Sequence, residues 1–225
     1  MNRTRAAALA GALFATIAAG GAHAALIGFT DKASFDSAIA AYSAAQAVDF
    51  EGVPSGTLFA SGGGAGGLSF DYAIAGLSIE VSSQFGTTSG VNYLGLDNSD
   101  TAFYLGDSFT IQFHRTVHAV GLYLVAGIDA MAGDLELSVA GGSVQNSGTA
   151  DVQLSGGQGF WLGLVETDPA LGFTSATVRG IVTPGAFLAF TADDITSAVA
   201  LPEPASGALL LSGLGAMVLA LRRRR

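Results

Sequence analysis

Apolar and polar residues alternate along much of the chain, in short segments separated by glycine-rich breaks. In segment 108–114, for example, Phe109, Ile111 and Phe113 alternate with polar residues. Nine segments either alternate in this way or form short apolar runs: AVDFE, LSFDYAI, LSIEVS, SFTIQFH, HAVGLYLVA, LELSVA, GFWLGLVE, FTSATVRGI and AFLAFTADDI. Alternation with a period of two is typical of a strand that has one face in the core. The pattern therefore predicts a mainly β fold, a single antiparallel β-sandwich or jelly roll.

One segment near the start of this β-rich region has a helical pattern instead. In residues 30–42, TDKASFDSAIAAY, the apolar side chains of Phe35, Ile39 and Tyr42 fall on one face of a helix. Thr30 is of the residue type that caps a helix N-terminus. The sequence thus predicts one short N-terminal helix, capped by Thr30.

The N-terminus has the order of a secretory signal peptide. Two early arginines are followed by the small and apolar stretch 6–22, and then by Ala22-His23-Ala24. A short cationic region, an apolar region and an A-x-A site predict cleavage before Ala25. We therefore expect export by Sec-type machinery and removal of residues 1–24 by signal peptidase.

The C-terminus has a different three-part order. Pro202-Glu203-Pro204 is followed by the apolar run 205–221 and by four terminal arginines, Arg222, Arg223, Arg224 and Arg225. Seventeen helical residues reach about 25 Å, the short end of what a bilayer core of about 30 Å accepts. Terminal arginines resist translocation, so a transmembrane helix here places the rest of the chain outside the cytoplasm.

These C-terminal residues resemble the PEP-CTERM sorting signal of Gram-negative bacteria. The resemblance implies recognition by an exosortase, an integral-membrane sorting enzyme that removes the tail and passes the body to the cell surface. A permanent tail anchor is the alternative. The region before the tail is similar to secreted β-sandwich domains that carry this signal, many of them like carbohydrate-binding modules. The expected divisions are a signal peptide, a β-sandwich domain and the sorting signal, at residues 1–24, 25–199 and 200–225.

Charge and composition narrow the function of the body. Residues 25–201 contain three cations against 17 carboxylates, a formal charge of −14. Such a surface repels nucleic acid and favours cations and neutral ligands. The chain has no cysteine, so its stability comes from core burial, with bound metal as a further source.

Four carboxylates are candidate calcium ligands. In the jelly-roll modules that the body resembles, an early acidic residue and a late aspartate often hold structural Ca²⁺, and calcium requires oxygen ligands of this kind. Asp49 and Glu51 share one face if their segment is a strand, and Asp193 and Asp194 lie near the end of the body. The alternative is that these are ordinary strand-end carboxylates that face water.

Tryptophan and histidine are two further residue types that can form sites. The single tryptophan, Trp161, is a candidate platform for stacking on a sugar face, with a place in the core as the alternative. His114 and His118 have the spacing of a helical metal pair, but their context is two strands joined by a turn, which does not place them on one face.

No recognisable catalytic arrangement is present, so the sequence favours a non-enzyme. The pair Glu166 and Asp168 would need a defined cleft to hydrolyse glycosides, and no motif supplies one. The expected function is that of an exported, surface-sorted protein of the exopolysaccharide matrix, glycan-binding or structural. The alternative is a secreted hydrolase that acts on exopolysaccharide.

Overall fold

The computed structural model describes residues 25–43, 45–73, 76–182 and 187–201. These ranges contain one helix, α1 (Lys32–Ile39), and fifteen strands. The strands are β1 (Leu26–Phe29), β2 (Gln46–Val48), β3 (Thr57–Phe59), β4 (Leu68–Tyr72), β5 (Ile79–Ser82), β6 (Tyr93–Leu96), β7 (Phe103–Tyr104), β8 (Ser108–Val117), β9 (Ala119–Ala126), β10 (Leu135–Val139), β11 (Gly142–Gln145), β12 (Val152–Leu154), β13 (Gly157–Glu166), β14 (Phe173–Gly180) and β15 (Ala189–Ala198). The predicted signal-peptide and transmembrane helices lie outside the described residues.

The strands form two antiparallel sheets. The large sheet has ten strands in the order β1-β13-β9-β15-β6-β5-β3, with β12 beside β13 and with β2 and β7 beside β15. The small sheet has the order β11-β10-β14-β8-β4. One apolar cluster joins their inner faces, including Leu122 and Phe160 of the large sheet and Ile111 and Val178 of the small one. The predicted antiparallel β-sandwich is confirmed.

All nine predicted strand segments contain a strand, because their alternation reflects burial on one face. In β8, Phe109, Ile111 and Phe113 are buried, whereas the intervening Thr110 and Gln112 are partly exposed. The prediction missed β1, β3, β6, β7, β11 and β12, which have two to four residues each. Such lengths are too short for alternation to be distinguished from a loop.

The helix forms as predicted, with a different cap. Asp31 is the N-cap residue, and its carboxylate accepts a hydrogen bond from the Ser34 amide at 2.8 Å. The assignment of the cap to Thr30 is therefore wrong by one residue. Phe35 and Ile39 are buried, and they place α1 on the outer face of the large sheet over β13.

Candidate binding cleft

The outer face of the large sheet carries a buried carboxylate, Asp193, and an open cleft. Asp193 pairs with Tyr123 and Thr191 pairs with Val125 in the register of β15 and β9. The helix α1 covers one part of this face and the loop of residues 83–92 covers another. An open cleft remains at the end of the face where β15 begins.

The cleft has a volume of about 440 Å³. Its lining comes from the loop 83–92, the turn between β12 and β13, the segment after β9 and the first part of β15. The lining side chains are mostly apolar, and Val125, Leu154 and Phe190 are examples. A mainly apolar cleft with a few polar groups is the usual form of a binding site for a small molecule or a chain segment.

Two exposed aromatic rings stand among the lining residues of the cleft. Phe187 is 74% exposed and Phe85 is 50% exposed. Each ring lies near a tyrosine: the ring centroids of Phe85 and Tyr93 are 6.1 Å apart, and those of Phe187 and Tyr104 are 5.2 Å apart. These contacts support the phenylalanine rings from behind and leave much of their surface open to water.

Hydrogen bonds hold both supporting tyrosines in place. The hydroxyl of Tyr93 lies 2.6 Å from that of Thr101, and the hydroxyl of Tyr104 donates to the carboxylate of Asp100. The hydrogen bond to Asp100, with burial, raises the pKa of Tyr104 to about 12. The phenol therefore stays protonated at physiological pH and keeps its donor role.

The cleft also contains polar groups that a ligand can use. Thr191 is 4% exposed, and its hydroxyl oxygen has no hydrogen-bond partner among the described residues. A buried hydroxyl without a partner costs about 1–3 kcal/mol, and a ligand's hydroxyl would relieve this cost once the Thr191 side chain turns towards the cleft. Gln84, Asp129 and Ser155 add polar side chains around it.

The loop 83–92 is held against the sheet by a buried carboxylate. Oδ2 of Asp193 accepts hydrogen bonds from the Thr88 amide at 2.9 Å and from the Ser89 amide at 3.0 Å. The hydroxyl groups of Thr88 and Ser89 also donate to this carboxylate. Because Phe85 belongs to the same loop, Asp193 indirectly fixes one wall of the cleft.

Burial changes the acidity of this carboxylate and of its neighbour. Burial raises the pKa of Asp193, and the hydrogen bonds from Thr88 and Ser89 offset part of the effect. Burial also raises the pKa of Asp194, and the negative charge of Asp193 raises it further. Asp194 has a φ of 52°, in the left-handed region that Asp tolerates better than most residues.

The predicted calcium site is not assembled from its four carboxylates. Strand β2 ends at Val48, and Phe50 follows with a φ of 60°, so Asp49 and Glu51 do not lie on a strand, although both are exposed and Phe50 between them is buried. Oε1 of Glu51 accepts hydrogen bonds from the amides of Val91 and Asn92 at 2.8 and 2.7 Å.

Two of those four carboxylates do lie together, since Thr88 donates to both Asp193 and Asp194. The lone pairs of Asp193 are occupied by amide and hydroxyl donors, which a metal ion would have to displace. Across the residues that the structure describes, no group of three or more His, Cys, Asp or Glu side chains is placed to hold a metal. Asp193 and Glu51 accept hydrogen bonds from the loop 83–92, and the Asp49 carboxylate accepts one from the Glu51 amide at 3.2 Å.

Trp161 is not a sugar platform, because it is 0% exposed. Its ring packs against Phe35 of α1 with centroids 5.1 Å apart, and against Tyr123 at 5.0 Å. The ammonium of Lys32 lies 5.1 Å from the centre of the tryptophan ring, which closes the remaining side. Trp161 is therefore a core residue beneath α1, which is the alternative that the sequence left open.

The candidate catalytic pair lies away from the cleft, at the far end of β13. Oε1 of Glu166 accepts a hydrogen bond from the Asp168 amide at 2.8 Å, and the Asp168 carboxylate accepts one from the Ala170 amide. Both carboxylates therefore shape a turn. His118 lies between β8 and β9, as the sequence indicated, and His114 is exposed near the end of β8.

The aromatic residues of the cleft were not found from the sequence. Phe85 lies in the polar segment SSQFGTTSG and Phe187 in PGAFLAF. A large aromatic residue within a glycine- and serine-rich loop is the one available signal, since such loops rarely bury it.

The predicted sorting and cleavage residues fall mostly outside the described ranges. Outside these ranges lie Ala22, Ala24, Pro202, Glu203, Pro204 and the four terminal arginines. Ala25 is the first described residue, and it is exposed. Among the described residues, no helix combines the length and the apolar character needed to cross a bilayer.

Comparison with known proteins identifies the C-terminal region. The family model of the PEP-CTERM protein-sorting motif matches residues 200–225. Such a motif implies export, sorting at the membrane through the C-terminus and recognition by exosortase-type machinery. No curated protein matches the chain at a significant level.

One solved structure with some similarity is the C-terminal family 22 carbohydrate-binding module of Xyn10B from Clostridium thermocellum. It is 13% identical, and the alignment covers 65% of this chain and 94% of that one, with a TM-score of 0.31. A likeness of this size supports no conclusion about the fold or the ligand.

Proposed function

We propose that this chain, which carries a PEP-CTERM sorting motif at residues 200–225, is a non-enzymatic protein of the extracellular matrix. In this proposal its cleft binds a segment of a neutral exopolysaccharide. The observation that carries the proposal is the pair of exposed rings, Phe85 and Phe187, in a cleft with a buried, unpartnered hydroxyl at Thr191. Aromatic faces suit the apolar side of a pyranose, and a buried hydroxyl suits the polar edge.

Charge supports a neutral polymer over an anionic one. The body carries a formal charge of −14, and the one charged side chain in the described lining of the cleft is Asp129. A polyanion would meet repulsion from the surface and find no cation in that lining. We therefore expect a polymer of neutral sugars to bind better than one of uronic acids.

The same lining argues against the hydrolase alternative. Glycosidases of the common kind place two carboxylates about 5–10 Å apart across the scissile bond. Asp129 is the single carboxylate in the described lining, and the adjoining residues 183–186, TPGA, contain none in their sequence. Binding without turnover is the function that these side chains support.

Affinity electrophoresis of the purified protein tests this function. Xylan and a mixed-linkage β-glucan serve as neutral probes, and alginate serves as the anionic probe. We expect retardation by a neutral polymer, a loss of affinity of roughly tenfold or more in Phe85→Ala and Phe187→Ala, and little change in Leu58→Ala. Leu58 is a matched control, because it is as exposed as Phe85 and lies on β3 away from the cleft.

Three outcomes would count against the proposal. If the two phenylalanine variants are retarded as strongly as the native protein, the cleft is not the binding site. Release of reducing ends from either neutral polymer would support the hydrolase instead. Failure of every neutral polymer to retard the protein would favour a purely structural role in the matrix.

The finer steps of sorting belong to the same proposal. We propose cleavage before Ala25, transient anchoring by residues 205–221, and removal of the tail near Leu201 by an exosortase. Intact mass of the protein from membrane and extracellular fractions tests these steps, with Pro202-Glu203-Pro204 replaced by three alanines as the comparison. A native protein that keeps Arg225 and stays in the membrane would contradict tail removal and indicate a permanent anchor.

A further inference from the structure

Both ends of the folded body lie at one pole of the sandwich. The Ala25 carbonyl accepts a hydrogen bond from the Thr167 amide at 3.3 Å, just after β13 ends. The Glu166 amide in turn donates to the His118 carbonyl at 2.7 Å. At the other end of the chain, the Ala200 amide donates to Nδ1 of His118 at 3.2 Å. We call this end of the sandwich the tail pole.

The cleft lies at the opposite pole. Strand β15 starts with Ala189, beside the cleft, and ends with Ala198, next to the His118 amide. Its ten residues span roughly 30 Å at about 3.3 Å each. Strand β9 runs the other way, from Ala119 at the tail pole to Ala126 in the cleft lining.

The connection from the tail pole to the apolar run is short. Ala200 is fixed to His118, and four residues lie between it and Ala205, where the apolar run begins, so the connection is five residue steps long. Five extended residue steps reach at most about 17 Å. The polar zone on each side of the hydrocarbon core takes up about 5–7 Å of that distance. The tail pole therefore cannot stand more than about 12 Å from the lipid headgroups while the tail is in the membrane.

The tail pole also has side chains suited to a membrane surface. Lys32 and Arg179 form ion pairs with Asp36 and Glu136, whereas Arg115 forms none with any described residue. Arg115 is exposed and lies beside Ser197 in a small cavity near the end of β15.

Exposed apolar side chains also lie at the tail pole, near His118. Leu171 and Leu201 are each about half exposed, at 51% and 54%. Leu171 lies one residue before Gly172, whose Cβ position is 3.3 Å from Nε2 of His118. The tail pole thus carries a cation without an ion pair among the described residues and, separately, two exposed leucines, and the headgroup zone accepts both charge and apolar surface.

We propose that, while the C-terminal tail is in the membrane, the tail pole rests on the lipid surface and the cleft faces away from it. The cleft is then open to polymer before the tail is removed. This orientation rests on the sorting motif and the positions of the chain ends, and it does not depend on which polymer binds.

Site-specific fluorescence quenching tests the orientation. The chain has no cysteine, so Leu171→Cys and Ile128→Cys each give a single labelling site. Leu171 marks the tail pole, and Ile128, at 77% exposure, lies just past β9 at the cleft pole. Each labelled chain, with its complete C-terminal tail, is reconstituted into phosphatidylcholine vesicles that contain a lipid with a nitroxide on its headgroup.

We expect the label at position 171 to be quenched several-fold more than the label at position 128. A variant with 20 Gly/Ser residues inserted between Leu201 and Pro202 serves as the control, because such a linker has a mean reach of about 25 Å. In that variant the quenching at position 171 should fall towards the value at position 128.

Equal quenching at the two positions, or stronger quenching at position 128, would overturn the proposal. Labelled chains that fail to float with the vesicles would overturn it as well, because the tether would then be absent. Neither result bears on polysaccharide binding, which is measured with other variants and without membranes.

Discussion

The imidazole Nδ1 of His118 accepts a hydrogen bond from the backbone amide of Ala200 at 3.2 Å. The other ring nitrogen, Nε2, therefore carries the proton and donates to the Pro169 carbonyl at 3.1 Å. One neutral side chain thus joins Ala200, two residues before Pro202, to the turn after β13.

His118→Ala should loosen the end of the body without unfolding it. The Ala200 amide and the Pro169 carbonyl lose their partner, which costs about 1–3 kcal/mol locally. We expect hydrogen exchange at the Ala200 amide to be at least tenfold faster, measured by NMR on the soluble body. The exposed His114 offers the control, since His114→Ala should leave that exchange rate unchanged.

Asp193→Ala should release the loop 83–92 from the large sheet. The variant leaves the amides of Thr88 and Ser89 without their acceptor, and each such loss costs about 1–3 kcal/mol. Limited proteolysis followed by mass spectrometry should then find cleavage within the loop that the native protein resists. Asp129→Ala, a change of the same kind at an exposed cleft residue, should retain resistance. Equal resistance in both variants would mean that Asp193 does not hold the loop.

Asp194→Asn should stabilise the protein at neutral pH. The pKa of Asp194 is raised by burial and by Asp193, so the folded state binds its proton more tightly than the unfolded state. Ionisation of Asp194 therefore lowers the free energy of unfolding as the pH rises from about 4 through the raised pKa. Asparagine lacks this ionisation and also tolerates the positive φ.

The measurement is the melting temperature of both proteins between about pH 4 and pH 8. The difference, variant minus native, should grow with pH, reach a few degrees and then level off; about 2–4 °C corresponds to 1 kcal/mol in a domain of this size. A difference that is constant or falls with pH would contradict the raised pKa. Asp129→Asn provides the comparison for an exposed carboxylate.

Gly163→Ala should disturb the packing of α1. A Cβ at position 163 would lie 2.4 Å from Cδ2 of Phe35 and 2.9 Å from Nε1 of Trp161, so the helix or the indole must shift. Overpacking of this kind costs about 1–3 kcal/mol. Gly52→Ala is the matched control, because its Cβ would meet nothing within 4 Å. Chemical denaturation measures the free energy of unfolding of both variants. Equal values would show that α1 shifts to accept the methyl group at no cost.

The fold was predictable because its core strands are amphipathic. Phe109, Ile111 and Phe113 alternate in the sequence for the same reason that they are buried in the structure: one face of β8 meets the large sheet. The turn after β2 was not predictable in this way. Phe50 takes a positive φ just past the end of β2, and alternation of burial alone, with Asp49 and Glu51 exposed on either side of the buried Phe50, did not reveal that the strand had ended.

The site was less predictable than the fold, because it depends on contacts between distant segments. The sequence singled out Trp161 as the one tryptophan, but α1 covers it. The residues of the strand itself do not indicate that a helix packs over them, so this burial could not be predicted. Phe85 and Phe187 are 102 positions apart, and only the sheet order brings them to one cleft. The sorting motif was recognised from the sequence because its parts are contiguous, and the family match confirmed it.

Retention in the native extracellular matrix tests the central claim most directly. Cells that secrete the native protein are compared with cells that secrete the double variant Phe85→Ala/Phe187→Ala, and intact mass verifies that both proteins are processed alike. After the matrix is washed, we predict that the native protein stays with the polysaccharide and that the double variant passes into the soluble fraction. Equal retention of the two proteins would contradict a role for the cleft in binding the matrix.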